Sequence, residues 1–293
     1  MSRIVSLIED PTMTGRILGI NQKKVAEMPF FLLTNDPENA VVIPASQSVP
    51  MKVMTISGEG PASVVSLAHQ KTGDMLIFMQ IQDGQTQFGL MNQPVHIDTV
   101  VGSGLQPYRL PEALYLDELR SLQVTFTDIS AVANEVRLLA LANRMLSQQV
   151  DTTLNRIRKR MEARQYLSIP YWYTFDGGAQ VIGAGATVQA TITVGQDHHF
   201  QIFKMAVQST GLFDIDIVDS QKGESIITAP NGVHYPIGSD LILGNGNFPF
   251  VFHEPRLVQV GQRLIVTMTD RSAAPNTVFL TLGGRAVKLR MWQ

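Results

Sequence analysis

Residues 240–284 read DLILGNGNFPFVFHEPRLVQVGQRLIVTMTDRSAAPNTVFLTLGG, and residues 98–142 read DTVVGSGLQPYRLPEALYLDELRSLQVTFTDISAVANEVRLLALA. Aligned without a gap at an offset of 142, the two stretches share the same residue at 15 of 45 positions, where chance would give about three. The shared residues include Asp98 and Asp240, Gly102 and Gly244, Gly104 and Gly246, Pro107 and Pro249, and Glu112 and Glu254. Farther along they include Leu122 and Leu264, Val124 and Val266, Asp128 and Asp270, Asn134 and Asn276, and Leu138 and Leu280. Upstream the correspondence continues with small shifts, Thr72-Gly73 lying near Thr210-Gly211. An internal duplication accounts for this economically.

The second copy is the easier to read. Residues 186–194 (ATVQATITV) alternate and are rich in Val, Ile and Thr, and 263–269 place Leu264, Val266 and Met268 on one face. Phe213, Ile215 and Ile217 alternate with Asp214 and Asp216, and Val278, Leu280 and Leu282 form another stripe. Period-two runs separated by Gly, Asn, Asp and Pro indicate half-buried antiparallel strands. About eight such strands per copy suit a β-sandwich of jelly-roll type. The expected fold class is therefore mainly β: two tandem sandwiches joined by an α-helix. The glycine pairs fall in expected turns, Gly102-Ser103-Gly104 and Gly244-Asn245-Gly246, where positive φ would suit glycine. Asp128 and Asp270 fall in the turn before the last strand, where a short carboxylate can bond the backbone. Together with Pro107, Glu112, Pro249 and Glu254, these positions read as fold-keeping. The acidic face of 213–218 is expected to be solvated, since no calcium loop with matching ligand spacing surrounds it.

Between the copies, Leu146, Val150, Leu154, Ile157 and Met161 recur at helical spacing across 143–167. The opposite side carries Arg156, Arg158, Lys159, Arg160 and Arg164, a solvated face of a connector or, as the sharper alternative, an interface for an acidic neighbour. The expected organisation is an N-terminal arm over 1–27, a first sandwich over 28–142, the linker helix over 143–167 and a second sandwich over 168–293. The arm packs on its own domain or on a neighbouring subunit.

Composition excludes several classes. The chain has 293 residues, 44% hydrophobic and 16% charged, with a formal net charge of −2 and no cysteine. Disulfides, thiolate metal sites and cysteine nucleophiles are ruled out, and no overall charge favours nucleic acid. No apolar run reaches membrane-spanning length, and the first ten residues show no secretory signal. No phosphate loop or Gly-x-Ser-x-Gly elbow is present. A duplicated jelly roll raises the bicupin reading, a metalloenzyme that needs two His one residue apart with a following Glu. Here His198 and His199 are adjacent, so they point to opposite faces of a strand. His69, His96, His234 and His253 read as scattered singles. Glu112 and Glu254 sit at equivalent places in separate domains, which does not suit paired-carboxylate chemistry. No catalytic, cofactor-binding or metal-binding residue is assigned, and the chain reads as non-enzymatic.

The run Asn247-Phe248-Pro249-Phe250-Val251-Phe252, then His253-Glu254-Pro255 and Val260-Gly261-Gln262-Arg263-Leu264, precedes the strand Val266-Thr267-Met268-Thr269. The final segment is Asn276-Thr277-Val278-Phe279-Leu280-Thr281-Leu282-Gly283-Gly284. This order resembles jelly-roll structural proteins of tailed bacteriophage particles over the last 85 residues or so, and the first copy matches more faintly. The first copy departs from it at Pro111 and at Asp117-Glu118-Leu119. The resemblance implies a virion component, a collar or neck protein at the head–tail junction or a capsid-decorating protein. It also implies a homo-oligomer assembled in the host bacterial cytoplasm, with the portal, head–tail connector or major capsid protein as partner. The alternative is a carbohydrate- or receptor-binding module of a phage tail. Tyr171-Trp172-Tyr173 is the aromatic candidate, although alternation sets Trp172 opposite its neighbours and a buried entry strand explains it better.

Overall fold

The computed structural model describes residues 26–33, 40–55, 62–83, 86–116, 120–146, 168–227 and 235–288. The first half contains β1 (Ala26–Leu33), β2 (Val41–Ile43), β3 (Ser48–Thr55), β4 (Ala62–Lys71), β5 (Met75–Asp83), β6 (Thr86–Gly89) and β7 (Val95–His96). A single helical turn, α1 (Ile97–Val100), leads to β8 (Tyr108–Leu116), β9 (Arg120–Asp128) and β10 (Asn134–Leu146). The second half contains β11 (Ser168–Tyr173), β12 (Gln180–Ile182), β13 (Thr187–Thr193), β14 (His198–Ser209), β15 (Phe213–Asp219), β16 (Glu224–Ser225) and β17 (Ile237–Gly238). Then come α2 (Ser239–Ile242), β18 (Phe250–Val258), β19 (Arg263–Asp270) and β20 (Asn276–Lys288).

In the first half, β1 and β2 pair with β10, which continues to β4 and β8; the facing sheet runs β3-β9-β5-β6, with β7 also on β5. In the second half, β11 and β12 pair with β20, which continues to β14 and β18; the facing sheet runs β13-β19-β15-β16, with β17 on β15. Counting the split strands β1/β2, β6/β7, β11/β12 and β16/β17 once each, every connection within a half crosses between sheets except the β5–β6 and β15–β16 hairpins. This is the jelly-roll arrangement, and the protein is mainly β and antiparallel.

The sandwiches form because each strand has one apolar face. In β19, Leu264, Val266 and Met268 are fully buried while their neighbours stay partly exposed. In β10, Val136, Leu138, Ala140 and Ala142 point inward and Arg137 outward. Removing such side chains from water contributes about 1.5–3 kcal/mol each.

Four expectations change. Strand pairing carries β10 through Leu146, opposite Ala26, so residues 143–146 are strand and not the start of a helix. The pairing of Ala26 and Glu27 likewise places the end of the expected arm inside β1. The rest of the arm and the basic face Arg156, Arg158, Lys159, Arg160 and Arg164 lie outside the described residues.

The acidic face of β15 is not solvated. Asp216 is buried and accepts a hydrogen bond from Ser225 Oγ at 2.6 Å, because β16 folds over it. Asp219 is buried against Gln262, whose Nε2 donates to both carboxylate oxygens at 2.8 and 2.9 Å. Only Asp214 stays half-exposed, beside Arg271 at 3.1 Å.

The matched glycines do not serve positive φ, which among the described glycines occurs at Gly73, Gly178, Gly185, Gly223 and Gly261. Gly102 and Gly244 are required by close approach instead. A Cβ on Gly102 would strike the carbonyl of Gln106, and one on Gly244 would strike that of Phe248. Each glycine also bridges the neighbouring strand in parallel, at Ala68 and at Ala206 respectively.

Candidate functional site: the contact between the sandwiches and the faces it leaves open

Alternation along β11 sends Tyr171 and Tyr173 into the second sandwich and Trp172 the other way, into the hydrophobic core of the first. Trp172 is 1% exposed, and its indole N–H donates to Tyr108 Oη at 3.3 Å. Its backbone takes part too: Trp172 N donates to Leu90 O at 2.9 Å, and Asn92 N donates to Trp172 O at 3.2 Å. Asn92 then clasps Thr174, donating to its carbonyl at 3.0 Å and accepting from its amide at 2.9 Å. Leu90–Asn92 of the first sandwich thus extends the sheet of the second.

The rest of the contact lays α1 and β8 on the outer face of β14 and β20. The hydroxyls of Thr99 and Thr281 meet at 2.7 Å, and the His96 ring lies 4.9 Å from Phe279. Gly246 N donates to Asp98 O at 2.5 Å, and Asn247 Oδ1 accepts from Ser103 N at 2.7 Å. Gly246 is held tightly, since a Cβ would strike Val101 O; its match Gly104 has open space around it. Ser168 donates to Glu112 at 2.5 Å. Lys204 lies over the Tyr108 ring, 4.6 Å from its centre, and donates to the Arg109 carbonyl. Burial, aided by the Arg109 charge, pulls the Lys204 ammonium down to about 8.

This contact is head-to-tail: α1–β8 of one jelly roll meets the sheet face of the other. The offset of 142 identifies the counterparts it leaves uncovered. Buried Thr99 corresponds to Leu241, which is 77% exposed, and Tyr108 at 2% corresponds to Phe250 at 36%. Gln106 and Arg109 correspond to Phe248 and Val251, 64% and 58% exposed. Glu112, tied across the seam, corresponds to exposed Glu254 in an open groove of about 300 Å³ beside Ile226, Ile227, Phe252 and Arg256. On the receiving side, outward-facing Phe279, Thr281 and Gly283 of β20 correspond to Arg137, Leu139 and Leu141 of β10. Both leucines are half-buried.

Beside the seam lies a polar cluster that the sequence does not announce, because its members come from β4, the β4–β5 turn, β7 and α1. His69 Nε2 lies 3.0 Å from Asp98 Oδ1, and its Nδ1 lies 3.0 Å from Gly102 O. Lys71 Nζ lies 3.0 Å from Asp98 and 3.4 Å from Asp74. His69 and His96 are therefore not scattered singles; both face Asp98. Asp74, His96 and Asp98 have metal-ligand proximity, the one such group among the described residues. However, the Lys71 ammonium already bridges its two carboxylates. Burial, opposed by the charge of Asp98, brings His96 down to about 4. For Asp98, burial pushes upward, but the hydrogen bonds of His69 and Lys71 prevail and hold it at about 2.

The remaining sequence candidates make local contacts. Asp128 accepts from the amide and hydroxyl of Ser130, both at 2.6 Å, and from Asn134 Nδ2 at 2.8 Å. Asp270 accepts from the amide and hydroxyl of Ser272 at 3.0 and 2.7 Å, and from Gly185 N at 3.0 Å. Burial acts against ionisation of Asp128, but its hydrogen bonds outweigh it; those from Gly185 and Ser272 lower Asp270. Pro107 and Pro249 close the loops that approach Gly102 and Gly244. His198 and His199 part as alternation requires. His198 lies 2.7 Å from Tyr173 Oη and 2.6 Å from Asp197 Oδ1, while His199 Nδ1 accepts from Val260 N at 3.2 Å.

No protein-family model and no curated protein matches the chain. Among solved structures it is similar to the major capsid protein P2 of bacteriophage PM2, at 10% identity, covering 90% of this chain and 99% of that one with a TM-score of 0.39. It is also similar to a chain of Sulfolobus Turreted Icosahedral Virus, at 12% identity over 87% of this chain and 62% of that one with a TM-score of 0.26. A third is the CBM22-1-CBM22-2 tandem of Paenibacillus barcinonensis Xyn10C, at 8% identity over 92% and 94% with a TM-score of 0.16.

Proposed function

We propose that the chain is a non-enzymatic structural subunit of a virus particle, a duplicated jelly roll that works as many copies joined by multivalent contacts. The observation that carries this is the head-to-tail seam, whose docking-side counterparts Leu241 and Phe250 are exposed and whose receiving-side counterparts Leu139 and Leu141 are half-buried. Leu241 and Phe250 occupy the positions of Thr99 and Tyr108, by which the first sandwich docks, and exposed Phe248 and Val251 flank them. The outward leucines of β10, Leu139 and Leu141, occupy the position of the receiving face. A heterologous contact repeated from chain to chain closes into a ring or grows into a lattice, and contiguous exposed apolar surface marks such a contact. The phage resemblance of the sequence favours a collar or neck layer at the head–tail junction, or a capsid-decorating layer. Its neighbours there are the portal, the head–tail connector or the major capsid protein.

The test is native mass spectrometry and light scattering of the full chain, alongside Leu241→Glu and Val251→Glu variants. The expected result is a discrete oligomer that falls to monomer in the variants with an unchanged melting temperature, because these side chains are exposed in the single chain. A wild-type chain that stays monomeric at high concentration, or an oligomer indifferent to both variants, overturns the reading.

A further inference from the structure

A second feature of the seam lies on the other side of β11. Tyr171 and Tyr173 face into the mouth of the second sandwich, their rings 4.8 Å apart and tilted by 44°. The Asn92–Thr174 clasp and the Leu90–Trp172 backbone bonds hold the β6 end of the first sandwich against this mouth, which brings in Gln87 and Phe88. The result is an open groove of about 410 Å³ whose walls come from both sandwiches. Phe88 is 39% exposed, Tyr171 half-buried, and Tyr173, His198 and Ala286 form a buried floor.

The floor is wired. Gly195 N donates to Tyr173 Oη at 2.8 Å. The Tyr173 hydroxyl can then donate to His198 Nε2, and His198 Nδ1 to Asp197 Oδ1, so every polar atom along this path has a partner. Asp197 and Gln87 stand at the rim, the Asp197 side chain 68% exposed. Burial first, and the Asp197 charge second, push the Tyr171 phenol up to about 12, so it remains a hydroxyl across the physiological range.

We propose that this groove between the sandwiches binds a neutral saccharide. The chemistry of the groove selects that class. Aromatic rings on two sides offer stacking faces for the C–H face of a sugar, and a carboxylate and a carboxamide at the rim offer bonds to hydroxyls. No lysine or arginine lines the groove among the described residues, which disfavours phosphate, sulfated sugars, sialic acid and nucleic acid. The groove is open rather than closed on several sides, unlike the cage that a quaternary ammonium requires. Its two walls belong to different sandwiches, so occupancy also reinforces the seam. The proposal does not depend on the assembly contact, whose residues lie on α2, β18 and β10.

The experiment is a glycan array of the full chain. It is followed by calorimetric titration with the best neutral oligosaccharide and, as controls, with choline and free arginine. Phe88→Ala removes one wall at an exposed position where folding is safe, and Asp197→Asn removes the rim charge while keeping its shape. The expected result is neutral-glycan binding that weakens at least tenfold in Phe88→Ala and severalfold in Asp197→Asn, with unchanged thermal unfolding. Absence of neutral-glycan binding, binding indifferent to both variants, or tighter binding of choline or arginine overturns the proposal. The mass measurement proposed for the full chain reports on the assembly reading independently of this result.

Discussion

Trp172 belongs to the second sandwich by chain and to the first by packing, so replacing it tests whether the two are one mechanical unit. Its side chain is 1% exposed within the first core. Burying about 200 Å² at about 25 cal/mol per Å² contributes roughly 5 kcal/mol, and measured Trp→Ala costs of about 3–5 kcal/mol agree. The hydrogen bond to Tyr108 is worth roughly a further 1 kcal/mol and leaves that buried hydroxyl without its donor when lost. Trp172→Ala is therefore expected to lower stability by about 4–6 kcal/mol, or about 8–24 °C for a unit of this size at 2–4 °C per kcal/mol. Scanning calorimetry reads the size of the loss and hydrogen exchange reads its place. Protection should fall first at Leu114 and Leu116 of β8 and at Ile97 of α1, in the first sandwich, while Val266 of β19 keeps its protection. A loss below about 1 kcal/mol, or exchange that rises only in the second sandwich, would refute the assignment of Trp172 to the first core.

Two other predictions concern the polar cluster and the close-packed glycines. His96 titrates near 6.5 when unfolded and about 4 when folded, surrounded by Asp98, Lys71, Asp74 and His69. On acidification from 6.5 to 4 the unfolded chain takes up a proton that the folded chain does not, so stability falls by about 3 kcal/mol across that window and is unaffected by this group above it. Asp98, depressed from 3.8 to about 2, adds its loss only below that window. Urea unfolding from pH 7 to 4 should show a flatter dependence in His96→Gln, and identical slopes would contradict this origin. Gly244→Ala should cost about 1–3 kcal/mol, because its Cβ meets the Phe248 carbonyl. Gly104→Ala, with open space around it, should stay within about 0.5 kcal/mol; equal urea midpoints for the two variants would count against the close-approach reading.

Much of this architecture is legible in the chain because period-two alternation reports directly on a sheet with one buried face. The strands of the second copy fall where Ile215, Leu264, Val266 and Leu280 alternate, and Asp128 and Asp270 occupy the turns expected of them. What fails has a common cause. Glycine identity does not distinguish a positive φ from a close backbone approach, and at Gly102 and Gly244 the requirement is close approach. Alternation says that Trp172 faces away from Tyr171 and Tyr173 but not that its far side is another domain's core. The seam cluster joins His69 to Asp98 and His96 across 27 or more positions (96 minus 69), a proximity that only the crossing of strands between sheets creates. Asp216 looks exposed in sequence because the two-residue strand that covers it, Glu224–Ser225, carries no periodic signal.

The backbone pairing of Leu90–Asn92 with Trp172 also bears on the order in which the molecule is made. Synthesis delivers the first sandwich before residue 172 leaves the ribosome, so that sandwich must wait with an indole-sized slot unfilled and a backbone segment without its partner. Late in translation the second sandwich closes both defects in one step. A truncated product that ends before β11, or a second sandwich produced by itself, would present an open sheet edge and an unburied tryptophan or its empty slot, the features that direct chains toward aggregation and quality control.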